Sequence, residues 1–403
     1  MRILMLSAAY APDGGGVATH VTNLVHGLAD RHVQVTVFTL NRPGLSEDKV
    51  EGHHLVHIVK QARKDTPAYD GRRVFAEDMI GELLHKWHKI QADIIHCHDF
   101  DSLFVGWLLK AAQKKPVVFT LHRAPSPWRE KRFLEDPKDL FIQAMMTAAT
   151  DQRSAIDSIV VPSQASAQSL RDQGFGIAPS VALNVIQHGI SQKLPEFKEV
   201  PNLLERLGCG SDHVLVFCPC RAEEHKDVEV FLDAACILKR ERSDLRLFFV
   251  LAAGVSDPGY KNALTRAKTN KLALGIDFAF RKFEYEEMAT VYRRAKVCVI
   301  PSRHESFGLT VLEAFLMGVP VVAANTSALC EIISHRQNGL LFTDGKSKEL
   351  AMHLETVFDD HELRGKIIQV ASAAVSEGNQ YSSKRMCDEY LRLYWRILGT
   401  QPP

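Results

Sequence analysis

Short apolar runs alternate with polar turns and helix-period stretches along the whole chain, and this alternation predicts an α/β protein. Residues 3–7 read as a strand, a glycine-rich turn follows, 17–30 has helical spacing, and 33–40 reads as a second strand. That βαβ order implies a parallel sheet with ligands at the carboxyl ends of its strands. Further strands are expected at 93–96, 117–121, 159–162 and 181–187, with Ser163 capping a helix after the third of these. His188-Gly189-Ile190 then leads into a polar, proline-bearing segment through Pro201, which reads as a hinge. The pattern restarts beyond it, with strands at 214–217, 245–252, 276–280 and 297–300 and a helix over 228–241. Cys387, Tyr390, Leu391, Tyr394, Trp395 and Leu398 finish the chain as an amphipathic helical stripe.

Length and composition fit that picture. The 403 residues exceed what one core usually serves, so two domains are expected. Charge is nearly balanced, 49 basic against 48 acidic residues, which argues against a dedicated nucleic-acid binder. Eight cysteines are scattered without a C-x-x-C pair, several within apolar runs, as expected of reduced, packed thiols in a cytoplasmic protein. The apolar start of the chain is cut short by Pro12-Asp13-Gly14 and reads as a first strand, not a signal sequence. No apolar run reaches bilayer-spanning length, so any membrane contact would be peripheral.

The most informative stretch is 296–324, KVCVIPSRHESFGLTVLEAFLMGVPVVAA, which reads as strand, loop, buried helix and strand. Glu305 lies in the loop just before the helix and Glu313 inside it, a separation of two helical turns, roughly 12 Å along the axis. A nucleotide-sugar spans about that far. Between them Ser306, Phe307, Gly308 and Leu309 open the helix, and unpaired N–H groups at the positive end of a helix dipole seat a diphosphate. Carboxylates accept hydrogen bonds only, which suits Glu313 to a ribose diol and Glu305 to hexose hydroxyls. Taken singly, either acid could equally be an ordinary helix residue.

The segment H-E-S-F-G-L-T-V-L-E-A-F-L-M-G-V-P-V-V resembles the E-x7-E signature of the retaining glycosyltransferases of family 4, which have the GT-B fold: two facing Rossmann-like domains with a cleft between them. The resemblance implies that Glu305 touches the donor sugar, Glu313 the ribose, and the 306–309 segment the phosphates. It also implies an R-x4-K diphosphate clamp, here Arg221 and Lys226, with Cys220 and Asp227 standing where the family carries glycines. Two fixed cations can neutralise a leaving nucleoside diphosphate without a metal. The Arg281, Lys282 and Phe283 segment falls where the family reads the base, and His122 matches the family's active-site histidine.

The first half offers weaker signals. Gly14, Gly15 and Gly16 fail the dinucleotide fingerprint, because Thr19 stands where its last glycine belongs, and strand two ends at Asn41 instead of an acid. The glycines are read instead as a mobile loop beneath a phosphate or acceptor. His96-Cys97-His98-Asp99 places two imidazoles on one face of a strand, but no third ligand has a supporting spacing, so no metal is expected. Asp99-Phe100-Asp101 spells the cation-binding D-x-D of other glycosyltransferases, yet lies in the domain opposite the nucleotide signature. The 123–137 stretch, rich in proline with Trp128, Arg129 and Arg132, is a connector or an acceptor-side loop.

The expectation is therefore an acceptor domain over 1–195 completed by a crossing helix at 381–403, and a nucleotide-sugar domain over 196–380. The activity expected is retaining hexosyl transfer, without cofactor, from a nucleoside-diphosphate sugar to a polyol, aminocyclitol, glycan or lipid-linked sugar. The alternatives are an epimerase or phosphorylase on the same fold, or a non-catalytic nucleotide-sugar binder.

Overall fold

A computed structural model describes residues 1–11, 15–40, 49–51, 54–59, 79, 81, 90–122, 156–172, 181–192 and 200–400. The chain divides into two compact units, Met1–Gly189 with Ser383–Pro403, and Ile190–Ser382. The division falls six residues before the expected 195 and two after the expected 380.

The first unit holds strands β1 (Arg2–Leu6), β2 (Gln34–Leu40), β3 (Lys49–Glu51), β4 (His54–Val59), β5 (Ile94–His98), β6 (Val117–Thr120), β7 (Ser158–Val161) and β8 (Ala182–Val185). Their order across the sheet is β3-β4-β2-β1-β5-β6-β7-β8. All pairs are parallel except β3 with β4, a two-strand edge that the sequence pattern did not reveal. Strands β5, β6 and β7 are buried along their whole length, as parallel strands covered on both faces must be.

The terminal helix, Ser383–Leu398, completes this unit against the helix Gly16–Ala29. Met386, Cys387, Tyr390, Leu393 and Tyr394 form its buried face, while Leu391, Trp395 and Leu398 are only half-buried. The expected stripe was thus rotated by part of a turn. The reason is a tight crossing: a Cβ on Gly27 would lie 2.3 Å from Cys387 Sγ, so only glycine admits the cysteine there. Arg31 Nε donates to Asp388 Oδ1 at 2.8 Å beside the crossing. Burying each of the two tyrosines contributes about 1.5–3 kcal/mol of apolar transfer, provided the hydroxyls find partners. They do, on Thr120 and His96.

The second unit holds β9 (Val214–Cys218), β10 (Leu247–Leu251), β11 (Asp277–Phe280), β12 (Val297–Ile300), β13 (Val321–Ala324) and β14 (Leu340–Phe342), all parallel, in the order β11-β10-β9-β12-β13-β14. The helix Val228–Glu241 packs Val228, Phe231, Leu232, Ala235 and Leu238 into the core at helical spacing and ends on Lys239 and Arg240, which favour the negative end of its dipole. All eight cysteines are free.

Candidate active site

Among the parallel strands of each sheet the order reverses once, and ligands of such sheets bind beyond the carboxyl ends of the strands at that point. In the second unit the reversal lies between β9 and β12, where Val297 pairs with Val216 and Cys298 with Phe217. Loops 219–227 and 301–308 leave these two strands side by side, and they carry most of the residues singled out from the sequence.

Lys226 Nζ reaches Glu305 Oε1 at 2.5 Å across the two loops, and Ser302 Oγ donates to the same oxygen at 2.9 Å. The Glu305 N–H donates to Ser327 Oγ at 2.9 Å, so both ends of the residue are held. Burial alone would raise the Glu305 carboxyl, but the Lys226 charge and the hydrogen bonds outweigh it and hold the group below its ordinary range. Burial would likewise lower the Lys226 ammonium, and Glu305 instead keeps it raised. The pair is a charged, nearly enclosed unit, the two side chains being 18% and 14% exposed.

The two departures from the family clamp have physical resolutions. Asp227 takes the left-handed conformation a glycine would supply, with φ 43°, and aspartate tolerates that region better than most residues. Its carboxylate accepts from Arg303 Nε at 2.7 Å, so the acid is spent on Arg303. Cys220 is buried outside the left-handed region, its Sγ 3.9 Å from Ser302 Oγ. Arg221, the other residue of the expected clamp, is exposed and pairs with Glu223 at 2.7 Å.

The helix after β12 is Leu309–Leu316, with Gly308 as its N-cap at φ 108°. A Cβ at Gly308 would meet Leu329 Cδ2 at 3.0 Å, so sterics and conformation both require glycine. Phe307 and Leu309 are core residues, which leaves this segment its backbone to offer a ligand. Because the helix begins only at Leu309, the two-turn separation expected between Glu305 and Glu313 does not hold; Glu313 lies in the second turn and Glu305 outside the helix.

Glu313 accepts from the buried Tyr292 hydroxyl at 2.9 Å, and burial pushes its carboxyl up to about 7, with Tyr292 pulling the other way. If Glu313 accepts from ribose hydroxyls as a carboxylate, nucleotide affinity should rise with pH through about 7 and level off above it. A proton bound to the free protein must leave on binding, so pH 6 should be about tenfold weaker than pH 8. Calorimetry on the wild type and on Glu313→Gln isolates this effect from titration of the ligand, since the variant's profile should lack that step.

Arg281, Lys282 and Phe283 follow β11, two strands away from β9. The Arg281 guanidinium pairs with Glu287 and lies 5.6 Å from the centroid of the Phe283 ring; Phe283 is buried and Lys282 exposed.

In the first unit the reversal lies between β1 and β5. Gly15, at φ 110°, is the N-cap of Gly16–Ala29; Gly14 and residues 123–137 lie outside the described residues. His122, just beyond β6, is buried, its N–H donating to Asp99 Oδ1 at 3.1 Å and its Nε2 lying 3.0 Å from His98 Nδ1. His96 and His98 share one face as expected, their rings 4.1 Å apart. Spacing could not show that His20 and His188 join them: the His20 ring lies 4.2 Å from His188 and 4.8 Å from His122. Tyr292, Ser302, Arg303 and Ser327 were likewise missed, being ordinary in sequence and significant only by position.

Comparison with known proteins bears on the family and the fold. Residues 14–193 match the family described as Glycosyltransferase Family 4, and residues 202–373 the family described as Glycosyl transferases group 1. A D-inositol 3-phosphate glycosyltransferase of Corynebacterium aurimucosum is 26% identical, over 100% of this chain and 98% of its own. One from Thermobispora bispora is also 26% identical, over 97% and 92%. Among solved structures, sucrose-phosphate synthase from Thermosynechococcus elongatus has a TM-score of 0.75 at 21% identity, covering 99% of both chains. Anabaena HepE in complex with UDP-glucose has a TM-score of 0.70 at 20% identity, covering 98% of this chain and 99% of that one.

Proposed function

Since the chain belongs to the glycosyltransferases that join a family 4 domain to a group 1 domain on the GT-B fold, we propose that it moves a hexose from a nucleoside-diphosphate sugar to a hydroxyl acceptor, with retention and without a catalytic metal. The observation that carries this reading is the meeting of Lys226, Glu305 and the Gly308 helix start at the carboxyl ends of β9 and β12. A cation, a helix N-terminus and a sugar-facing carboxylate are what a departing diphosphate and a bound hexose need.

In this reading Lys226 and the backbone at 306–309 stabilise the leaving diphosphate, with Arg221 as the outer cation. Glu313 holds the ribose, and the 281–283 segment borders the base. Glu305 orients the hexose and holds Lys226 in place until donor binds. His122 is assigned a role at the sugar by the family resemblance. The acceptor class favoured is a small phosphorylated polyol, as in the names of the inositol 3-phosphate relatives.

The test is product formation in EDTA from UDP-, ADP- and GDP-glucose, with and without D-inositol 3-phosphate or an unphosphorylated polyol. Transfer that requires acceptor and survives chelation is expected. Donor conversion without acceptor would instead support the epimerase alternative, and donor synthesis only from free nucleotide and a glycan the phosphorylase. Donor binding without turnover would leave a binding protein.

A further inference from the structure

We propose that the first unit contains a transition-metal site in which His20, His98 and His122 coordinate a divalent ion of borderline softness, such as Zn²⁺. Among the described residues these form the one group of three potential ligands whose donor atoms all lie within 4.8 Å of one another. They come from three elements: the helix Gly16–Ala29, the end of β5, and the residue after Leu121 beyond β6. Rigid secondary structure therefore brings them together.

One edge of this triangle already has nearly the length a tetrahedral ion needs. His98 Nδ1 and His122 Nε2 are 3.0 Å apart, close to the edge of about 3.3 Å between two nitrogens each about 2.0–2.1 Å from zinc. His20 offers Nδ1, which makes no hydrogen bond, while its Nε2 faces the Tyr390 hydroxyl at 3.4 Å. A metal-bound imidazole ordinarily directs its second nitrogen to such an outer partner. Tyr390 in turn is held by Thr120 at 3.1 Å, and Thr120 by His96 at 2.7 Å. His20 is 0% exposed, so its Nδ1 without a partner is a cost that a bound ion removes.

The chemistry agrees. Burial first, and the neighbouring histidines second, hold His20 and His98 well below the ordinary imidazole range, which keeps them in the neutral form that binds metals. The ring that donates in the His98–His122 hydrogen bond shifts its proton to its own outer nitrogen, His98 Nε2 or His122 Nδ1, while the other already carries its proton there, so three neutral rings bind the ion with no proton lost. The fourth position is left to water or a substrate oxygen.

The consequence for activity rests on the reading of His122 above. Coordination would fix the His122 ring, the residue that reading assigns to the sugar, so the ion is an inhibitor and not a cofactor. Zinc should then suppress a transfer that chelators restore.

The experiment uses the full, untagged chain. Zn²⁺ is titrated in competition with a chromophoric chelator against the wild type, His20→Gln and His98→Gln, with melting curves for each. One tight ion per wild-type chain, a raised Tm, and an affinity loss in each variant beyond the about 10–100-fold of an outer-shell change are expected. Co²⁺ should give the wild type the intense visible bands of a tetrahedral nitrogen site, a readout that does not depend on how the variants fold. Octahedral Co²⁺ spectra, or zinc binding unchanged in both variants, overturn the proposal and leave a water-satisfied polar cluster. Tight binding with these dependences, in a protein whose His122→Ala variant transfers sugar normally, supports the site and removes only the inhibition.

Discussion

Replacing Lys226 with methionine is expected to lower kcat/KM for sugar transfer by about a thousandfold. Removing one preorganised donor to developing charge typically costs about 10²–10³, and here the lost group also carries a full positive charge in an enclosed site. The same change leaves Glu305 enclosed without its cation, where breaking such a pair costs about 3–5 kcal/mol of stability. Denaturation should therefore register the variant before any assay does. Lys226→Met combined with Glu305→Gln should regain most of that stability and none of the activity, because the uncompensated charge is gone while the diphosphate still lacks its cation. A double variant as unstable as the single one would show that Lys226 matters to the fold through something other than this pair.

The second large effect separates the two carboxylates. Glu305→Gln should lower kcat by about a hundredfold or more, since positioning of the hexose matters most as the anomeric bond breaks. Free nucleoside diphosphate should bind as tightly as before, or more tightly, because Lys226 loses the carboxylate that competes with phosphate for it. The direction follows from the 2.5 Å pair. A clear weakening of nucleotide binding in Glu305→Gln would place Glu305 against the nucleotide and not the sugar.

How much of this was visible beforehand depends on the range of the interactions. Strands β9, β10 and β12 were legible because parallel strands buried on both faces are nearly continuous apolar runs, and the helix Val228–Glu241 was legible from its period. The candidate residues that follow such strands in a short motif, Glu305 and Gly308 above all, could be singled out with them. The helix start was placed too early, since the left-handed turn at Gly308 is a conformation that periodicity does not carry. Partners brought in by topology were invisible. Tyr292 meets Glu313, Arg303 takes up Asp227, and Ser327 pins Glu305 across strand pairings that no local pattern encodes.

The histidine cluster makes the same point from the other unit. His96 and His98 announced themselves by alternation, but a metal was set aside because no third ligand stood at a suitable spacing. The structure brings His20 to them from the helix that follows β1, and His122 from just beyond the adjacent strand β6. Likewise the terminal helix was recognised as amphipathic, while its rotation was fixed by Gly27, a residue whose role appears only when Cys387 is set against it.

Nucleoside diphosphate binding to the wild type and to Glu313→Gln, measured by calorimetry at pH 8 where the carboxyl is mainly ionised, tests the placement of the donor most directly. The wild type should bind one nucleotide per chain, and the variant should lose about 1.5–3 kcal/mol, the worth of hydrogen bonds to a charged acceptor. Equal affinity in the two proteins would mean that the ribose lies elsewhere and that the donor has been set wrongly along this helix.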